Sequence, residues 1–366
     1  MHQETAKRKH EESWIPRVLA DLKALVQTVK PHENGPAPEA LIACIDDMSR
    51  KIAQDDQRMD DVADVLFGSD TSAYGTRATA VFSRWHSEGG GPVMPVMLAH
   101  AADHFGLADN TPTIRAAMMA AILAEIPNHL QYHGNEHYRK VMFHTIRLLA
   151  THQSSDFPYQ PALNADDVGK MLIAAAIHDL GHEGGDNLRD GIYTPGYMEQ
   201  QAFDIARPYF EAMGLERDFW GEIETVIFCT DITFFAGDNS PCIRMKKIYR
   251  HFFMGGADGE DVESMMIGKL RLFEDNAKLA VMAMMLHEAD IATSAGLSYE
   301  QSRSETVDIM EERGILNAGP KTLLRFLTEQ LDGRMMTPAA QKLFAGEMAI
   351  IMQQAEDDIL AGVETF

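Results

Sequence analysis

Ile177 His178 Asp179 Leu180 Gly181 His182 Glu183 Gly184 Gly185 Asp186 Asn187 follows an apolar, Ala-rich run, Met171 to Ile177, and sets how the rest of the chain is read. The run predicts a buried helix that delivers His178 and Asp179 to the interior. A buried imidazole and a buried carboxylate need partners, because an unpaired buried charge is expensive and a divalent cation satisfies both at once. Gly181, Gly184 and Gly185 then let the backbone leave the helix in conformations that a substituted residue resists. Taken alone, the stretch also fits a polar helix end closed by glycine. Histidines elsewhere at suitable spacing decide between the two.

They are present. In Tyr132 His133 Gly134 Asn135 Glu136 His137, residues four apart on a helix share a face, so His133 and His137 are expected to look into one cavity. Further on, Leu279 to Asp290 carries an unbroken apolar run, Ala280 to Leu286, and is expected to end in His287 Glu288 Ala289 Asp290. A helix that is apolar all round is a buried helix. Between these, Val226 Ile227 Phe228 leads into the polar cluster Thr230 Asp231 Ile232 Thr233. Two buried helices ending in His and Asp, with a helix carrying a His pair, supply enough nitrogen and oxygen ligands for a metal centre.

The remaining chain reads as helices. The first begins near Ser13 with Pro16 in its opening turn, a second is expected over 39–53 and a third over 56–66. Others follow over 77–85, 96–105 and 114–126, after a candidate linker at Glu88 Gly89 Gly90 Gly91 Pro92. Strand signals are nearly absent. The expected fold is all-α, with a disordered tail over 1–12, an N-terminal helical region over 13–110 and a compact multi-helix catalytic domain over 111–366. The N-terminal region is read as scaffold, dimer face or regulatory segment. Arg244, Lys246, Lys247 and Arg250 are read as a solvated basic face.

A formal net charge of -23 over 366 residues argues against nucleic acid or an anionic membrane as the main partner, since both require a basic footprint. It leaves room for a small anionic substrate, because a bound divalent metal reverses the local potential. The three cysteines show no CxxC spacing, which suits a reducing compartment. No secretory h-region and no run of about 18 apolar residues is seen, so a cytoplasmic protein is expected.

The order of these motifs resembles the HD superfamily of metal-dependent phosphohydrolases and, more narrowly, the catalytic domain of the class I 3′,5′-cyclic nucleotide phosphodiesterases. Tyr132, His133 and His137 match the family's Tyr-His-Asn-x-x-His motif. His178, Asp179, His182, Gly184 and Asn187 match His-Asp-x-x-His-Pro-Gly-x-x-Asn. Glu199 corresponds to the Glu of Leu-Glu-Asn-His-His, Thr230 to Thr233 correspond to Thr-Asp-Met-Ser, and His287 to Asp290 correspond to His-Cys-Ala-Asp. Thr337 to Phe344 is similar to the segment whose Gln-x-x-Phe holds the purine. Gly134, Glu183, Gln201 and Ala202 depart from the family pattern, and the loop from Asp179 to Glu199 is short for it.

The resemblance implies two-metal hydrolysis of cAMP or cGMP to the 5′-monophosphate. His137, His178, Asp179 and Asp290 would hold a tight Zn²⁺, and Asp179 would bridge to a labile Mg²⁺ or Mn²⁺ whose waters Glu199 and Thr230 hold. Two metals about 3.5–4 Å apart can share an attacking hydroxide. His133 would be the general acid, with Glu288 or another carboxylate orienting it, and His182 would hydrogen-bond the hydroxide. Tyr132, Ile232, Gln341 and Phe344 would contact substrate, with Gln341 on the base edge and Phe344 on its face. A homodimer through the N-terminal helices is compatible with this. The alternatives are an HD-type phosphohydrolase acting on another nucleotide or phosphodiester, and a non-catalytic nucleotide-sensing module.

Overall fold

A computed structural model describes residues 14–60, 62–107, 111–155, 157–256 and 262–366, and the side chains of Phe234 and Phe235 are outside that description. The expected tail over 1–12 and part of the loop over 255–259 lie outside the described residues. The first half consists of α1 (Trp14–Val26), α2 (Pro38–Asp60), α3 (Ala63–Phe67), α4 (Tyr74–Ser87), α5 (Met94–His104), α6 (Pro112–Leu123), α7 (Asn135–Ser154) and α8 (Ala165–Ile177). A two-residue hairpin, β1 (Leu188–Arg189) with β2 (Ile192–Tyr193), is the only sheet among the described residues. Then come α9 (Tyr197–Ala212), α10 (Arg217–Phe228), α11 (Pro241–Phe253), α12 (Leu272–Asp275), α13 (Ala277–Gly296), α14 (Tyr299–Glu312), α15 (Pro320–Arg325) and α16 (Pro338–Leu360). The all-α architecture follows from the scarcity of β-branched alternation. Among the described residues, no helix is long and apolar enough to cross a membrane.

α13 is the axis of the molecule. Its run from Leu279 to Ala289 is buried on every face, and it packs on α7, α8, α10, α11, α14 and α16. The helix does not stop at Asp290 but continues to Gly296, so Asp290 projects from the middle of a buried rod. α8 packs against α6 and α7 and starts with a reciprocal cap. Asn164 accepts from Asp167 N at 3.0 Å, and the Asp167 carboxylate accepts from Asn164 N at 2.8 Å. Such caps stabilise a helix by about 1 kcal/mol. Here the cap fixes where the helix begins, and hence where His178 emerges at its other end.

The N-terminal helices share this core, with Leu19, Leu41, Met48, Phe82 and Met97 in one buried cluster with Phe143 and Met284. Arg147 of α7 is buried, and its guanidinium donates to the carbonyls of Leu66 at 3.2 Å, Gly68 at 2.5 Å and Asp70 at 2.9 Å. Its two Nη groups are thereby paired, which offsets the cost of burying the charge, while Nε has no partner among the described residues.

Three local expectations are corrected. The expected helices over 39–53 and 56–66 are one helix, α2, running to Asp60. Asp55 there is not a break but a buried acceptor, bonded to Val93 N at 3.0 Å. The basic patch is not a solvated face: Lys246 is buried and donates to Gln330 O, and Lys247 pairs with Asp238 at 3.0 Å. The Glu88 to Pro92 stretch turns tightly under Trp85, where a Cβ on Gly91 would meet the indole at 2.5 Å.

Candidate metal centre and cavity

His137 on the first turn of α7, His178 and Asp179 directly after α8, and Asp290 in α13 converge, with one donor atom of each lying within 4.8 Å of all the others. Among the described residues it is the only such group of His, Cys, Asp or Glu. The Nε2 atoms of His137 and His178 are 3.4 Å apart. His137 Nε2 lies 3.4 Å from Asp179 Oδ2 and 3.1 Å from Asp290 Oδ1, and His178 Nε2 lies 3.2 Å and 3.6 Å from the same two oxygens. Bonds of about 2.0–2.1 Å at tetrahedral angles place donors about 3.3–3.4 Å apart. The four side chains therefore fit a divalent cation. The His178 Nδ1–H donates to Ala175 O at 3.0 Å, so the Nε2 lone pair faces the quartet.

Charge agrees with geometry. Burial opposes protonation of His137, yet its hydrogen bonds to Asp179 and Asp290 prevail and hold it at about 9. His178 is raised against the same burial by Asp179. Burial pushes the Asp179 and Asp290 carboxyls upward, but the two imidazoles hold both below the usual range. A cation would take the place of those protons.

The loop behind the quartet is held by groups with no motif of their own. Tyr138 donates its hydroxyl to Asp179 O at 2.7 Å, and Asn128 Nδ2 donates to Tyr138 Oη at 3.0 Å and to His182 O at 3.2 Å. Gly181 has φ +75°, and a Cβ there would meet Ile205 at 2.6 Å, so only glycine makes this turn at no cost.

Beside the quartet lies a cavity of about 960 Å³, counting its open mouth. Its lining includes the carboxylates of Asp179, Asp186, Glu199, Asp231, Asp290 and Glu305. Arg313 is the only Lys or Arg among the described lining residues. Glu199 is buried, with one carboxylate oxygen lacking a partner among the described residues and the other 3.3 Å from Asn187 Nδ2. Burial, reinforced by Asp231, pushes its carboxyl well up. An acceptor in that condition is suited to a cation or a cation's water. Thr230 lines the same wall, its hydroxyl donated to Ile227 O at 2.8 Å. Asp231 is instead fully engaged, accepting from Tyr193 Oη, Gly196 N and Thr233, and it anchors the hairpin.

His133 reaches the cavity by a route other than the expected one. α7 begins at Asn135, so His133 precedes the helix and is not on a face shared with His137. Gly134 lets the chain enter the helix so closely that a Cβ there would lie 2.5 Å from Leu130 O. Glu312, at the end of α14, holds the imidazole: its carboxylate accepts from His133 N at 3.0 Å and pairs with Nδ1 at 2.7 Å, and it also accepts from Tyr132 N. Burial would raise the Glu312 carboxyl, but the hydrogen bond from His133 brings it below its ordinary value. Glu288 does not orient His133. It is a buried residue of α13 that accepts from Met336 N, Thr337 N and the Thr337 hydroxyl just ahead of α16, and burial pushes it up to about 7. His182 stacks on His133 with ring centroids 3.8 Å apart, and its Nδ1 accepts from Gly184 N at 2.9 Å. Burial, then the neighbouring His133, lowers His182 to about 4.

Tyr132 and Ile232 line the cavity, and Tyr132 Oη lies 3.3 Å from Ser294 Oγ. Gln341 and Phe344 do not line it. Gln341 Nε2 donates to Met335 O at 3.1 Å and Met336 O at 3.2 Å, fastening the chain ahead of α16. Phe344 is fully buried against Tyr74 and His144. The phenylalanine among the described lining residues is Phe326.

No protein-family model and no curated protein matches the chain in sequence. Solved structures do match it. The phosphodiesterase domain of the RhoPDE fusion protein from the choanoflagellate Salpingoeca rosetta matches over 83% of this chain and 99% of its own, at 16% identity and a TM-score of 0.52. A structure of the phosphodiesterase domain of Salpingoeca rosetta rhodopsin phosphodiesterase matches over 78% of this chain and 88% of its own, at 16% identity and a TM-score of 0.49. The helical framework that gathers the quartet is thus the fold of a phosphodiesterase catalytic domain.

Proposed function

We propose that this protein is a metal-dependent phosphodiesterase that hydrolyses 3′,5′-cyclic nucleotides to 5′-nucleoside monophosphates. The observation that carries the reading is that Asp179 and Asp290 of the His₂Asp₂ quartet and His133, held by Glu312, line one cavity. The quartet's imidazoles and carboxylates suit Zn²⁺, and the single carboxylate of Asp179 facing Glu199 and Thr230 suits a hydrated Mg²⁺ or Mn²⁺. Bound there, such a pair supplies Lewis acidity, an activated water and a positive potential in an otherwise acidic wall.

The chain's own groups do the rest. Glu312 occupies His133 Nδ1, which leaves Nε2 as the nitrogen to donate a proton to the leaving 3′-oxygen. The stacked His182 limits rotation of that ring. Ile232, Ile309, Met310 and Phe326 offer an apolar slot for the base, and Tyr132, its ring 4.8 Å from that of His137, lines the same cavity. A second reading, an HD-type phosphohydrolase for another phosphoester, is favoured by the position of Gln341 and Phe344 outside the cavity.

The test is hydrolysis of cAMP and cGMP by the purified protein with Mg²⁺ or Mn²⁺, beside Asp179→Ala, scored for the 5′-monophosphate. Turnover lost in the variant is expected. No cleavage of either nucleotide by a protein that still binds metal tightly would replace this reading with the second.

A further inference from the structure

The cavity's polar groups divide unevenly, and the division bears on which base enters. Gln341, the side chain whose amide could accept either purine edge by flipping, is bonded to two backbone carbonyls away from the cavity. Reading of the base therefore falls to other residues. Arg313, one residue past α14, lines the apolar slot with Ile309, Met310 and Phe326. Its Nη2 makes a long contact of 3.4 Å with Asp186 Oδ1, and its Nε is buried with no partner among the described residues. With that contact at the long end of hydrogen bonding, the guanidinium keeps donors for a ligand acceptor in the cavity it lines.

Resting on the cyclic-nucleotide reading above, we propose that Arg313 is a specificity residue that reads the base and selects guanine over adenine. A guanidinium carries five donors and no acceptor. Guanine presents two adjacent acceptors, O6 and N7, which match that fork; adenine replaces O6 with the N6 amino donor, which opposes it. Ile309, Met310 and Phe326 line the cavity with Arg313 and offer a mismatched donor no acceptor of their own. The competing role is mechanical: Arg313 could act only by tying the 179–199 loop to α14 through Asp186.

The experiment compares wild type, Arg313→Gln and Asp186→Asn, measuring kcat and KM for cGMP and cAMP and equilibrium binding of 5′-GMP and 5′-AMP. Wild type is expected to favour the guanine nucleotide in both assays. Arg313→Gln is expected to raise KM for cGMP roughly 10- to 100-fold and to leave KM for cAMP unchanged or lower, with kcat for both little changed. Asp186→Asn, which removes the tie and keeps the guanidinium, is expected to retain the preference. Equal losses for both bases in Arg313→Gln, reproduced by Asp186→Asn, would overturn the proposal in favour of the mechanical role. If wild type cleaves neither cyclic nucleotide yet binds 5′-GMP over 5′-AMP in an Arg313-dependent way, the catalytic reading fails and base selection stands. If it binds neither nucleotide, both fall.

Discussion

His133 Nδ1 lies 2.7 Å from a carboxylate oxygen of Glu312, a residue 179 positions further along the chain. The same carboxylate also binds the backbone amides of Tyr132 and His133, so it fixes the ring and the segment that carries it. Glu312→Gln keeps the size and most of the backbone contacts but removes the charge. It is expected to lower kcat about 10- to 100-fold with metal content unchanged, and His133→Ala to lower it about 10²- to 10⁴-fold. Kinetics beside metal analysis checks both. A Glu312→Gln protein that loses its metal would show that the carboxylate serves the fold, not the proton.

Three of the quartet, His178, Asp179 and Asp290, were legible in the chain because they end or interrupt apolar runs, where a His or Asp stands out against Ala, Met and Leu, whereas His137 was picked out by its spacing from His133. Glu312 had no such contrast. It ends an ordinary amphipathic helix among other acids, and only the packing of α14 against α13 brings it to His133. Gln341 and Phe344 failed for the opposite reason. Their spacing fits a base clamp, but it equally fits a helix whose first turn ties down its own approach and whose aromatic fills the core.

Phe326 and Phe344 consequently exchange the roles that spacing alone would assign. Phe344→Ala is expected to destabilise the fold by about 3–5 kcal/mol, with KM close to wild type in the folded fraction. Phe326→Ala is expected to raise KM several-fold with a small change in Tm. Thermal melts and steady-state kinetics on the two variants separate the roles, and the reverse pattern would return the base to α16.

The hydroxyl of Tyr138 supports the quartet from behind through Asp179 O. Tyr138→Phe is expected to weaken metal binding about 10-fold, as loss of a group supporting a ligand typically does. Saturating metal should stabilise wild type by about 2.7 kcal/mol at a hundredfold excess over Kd. Calorimetric metal titration measures the first quantity and thermal shift the second. An unchanged affinity would mean that the backbone turn holds itself.

His144 predicts a pH dependence. It is fully buried between the Tyr74 hydroxyl, 2.9 Å from Nδ1, and the Thr293 hydroxyl, 3.2 Å from Nε2. Burial, with Lys140 nearby, lowers it from 6.5 to about 3. The unfolded chain thus takes up a proton at this site that the folded chain refuses, so the contribution is complete above about pH 6.5 and is lost as pH falls towards 3. The slope from one such site approaches about 1.4 kcal/mol per pH unit. His144→Gln should show a shallower decline in unfolding free energy between pH 6.5 and 4. Parallel curves would mean that His144 is protonated in the native state.

The guanidinium of Arg147, locked onto the carbonyls of Leu66, Gly68 and Asp70, has a bearing on how this gene can change. Arg147 shares α7 with His137, so the early loop is fastened to the same rod that carries a ligand of the quartet. Cutting the gene between α5 and α6 would strand an interior cation and unseat that rod, so gene fission or shuffling at that junction is disfavoured. An insertion between Leu66 and Asp70 would therefore pull on the helix that carries His137.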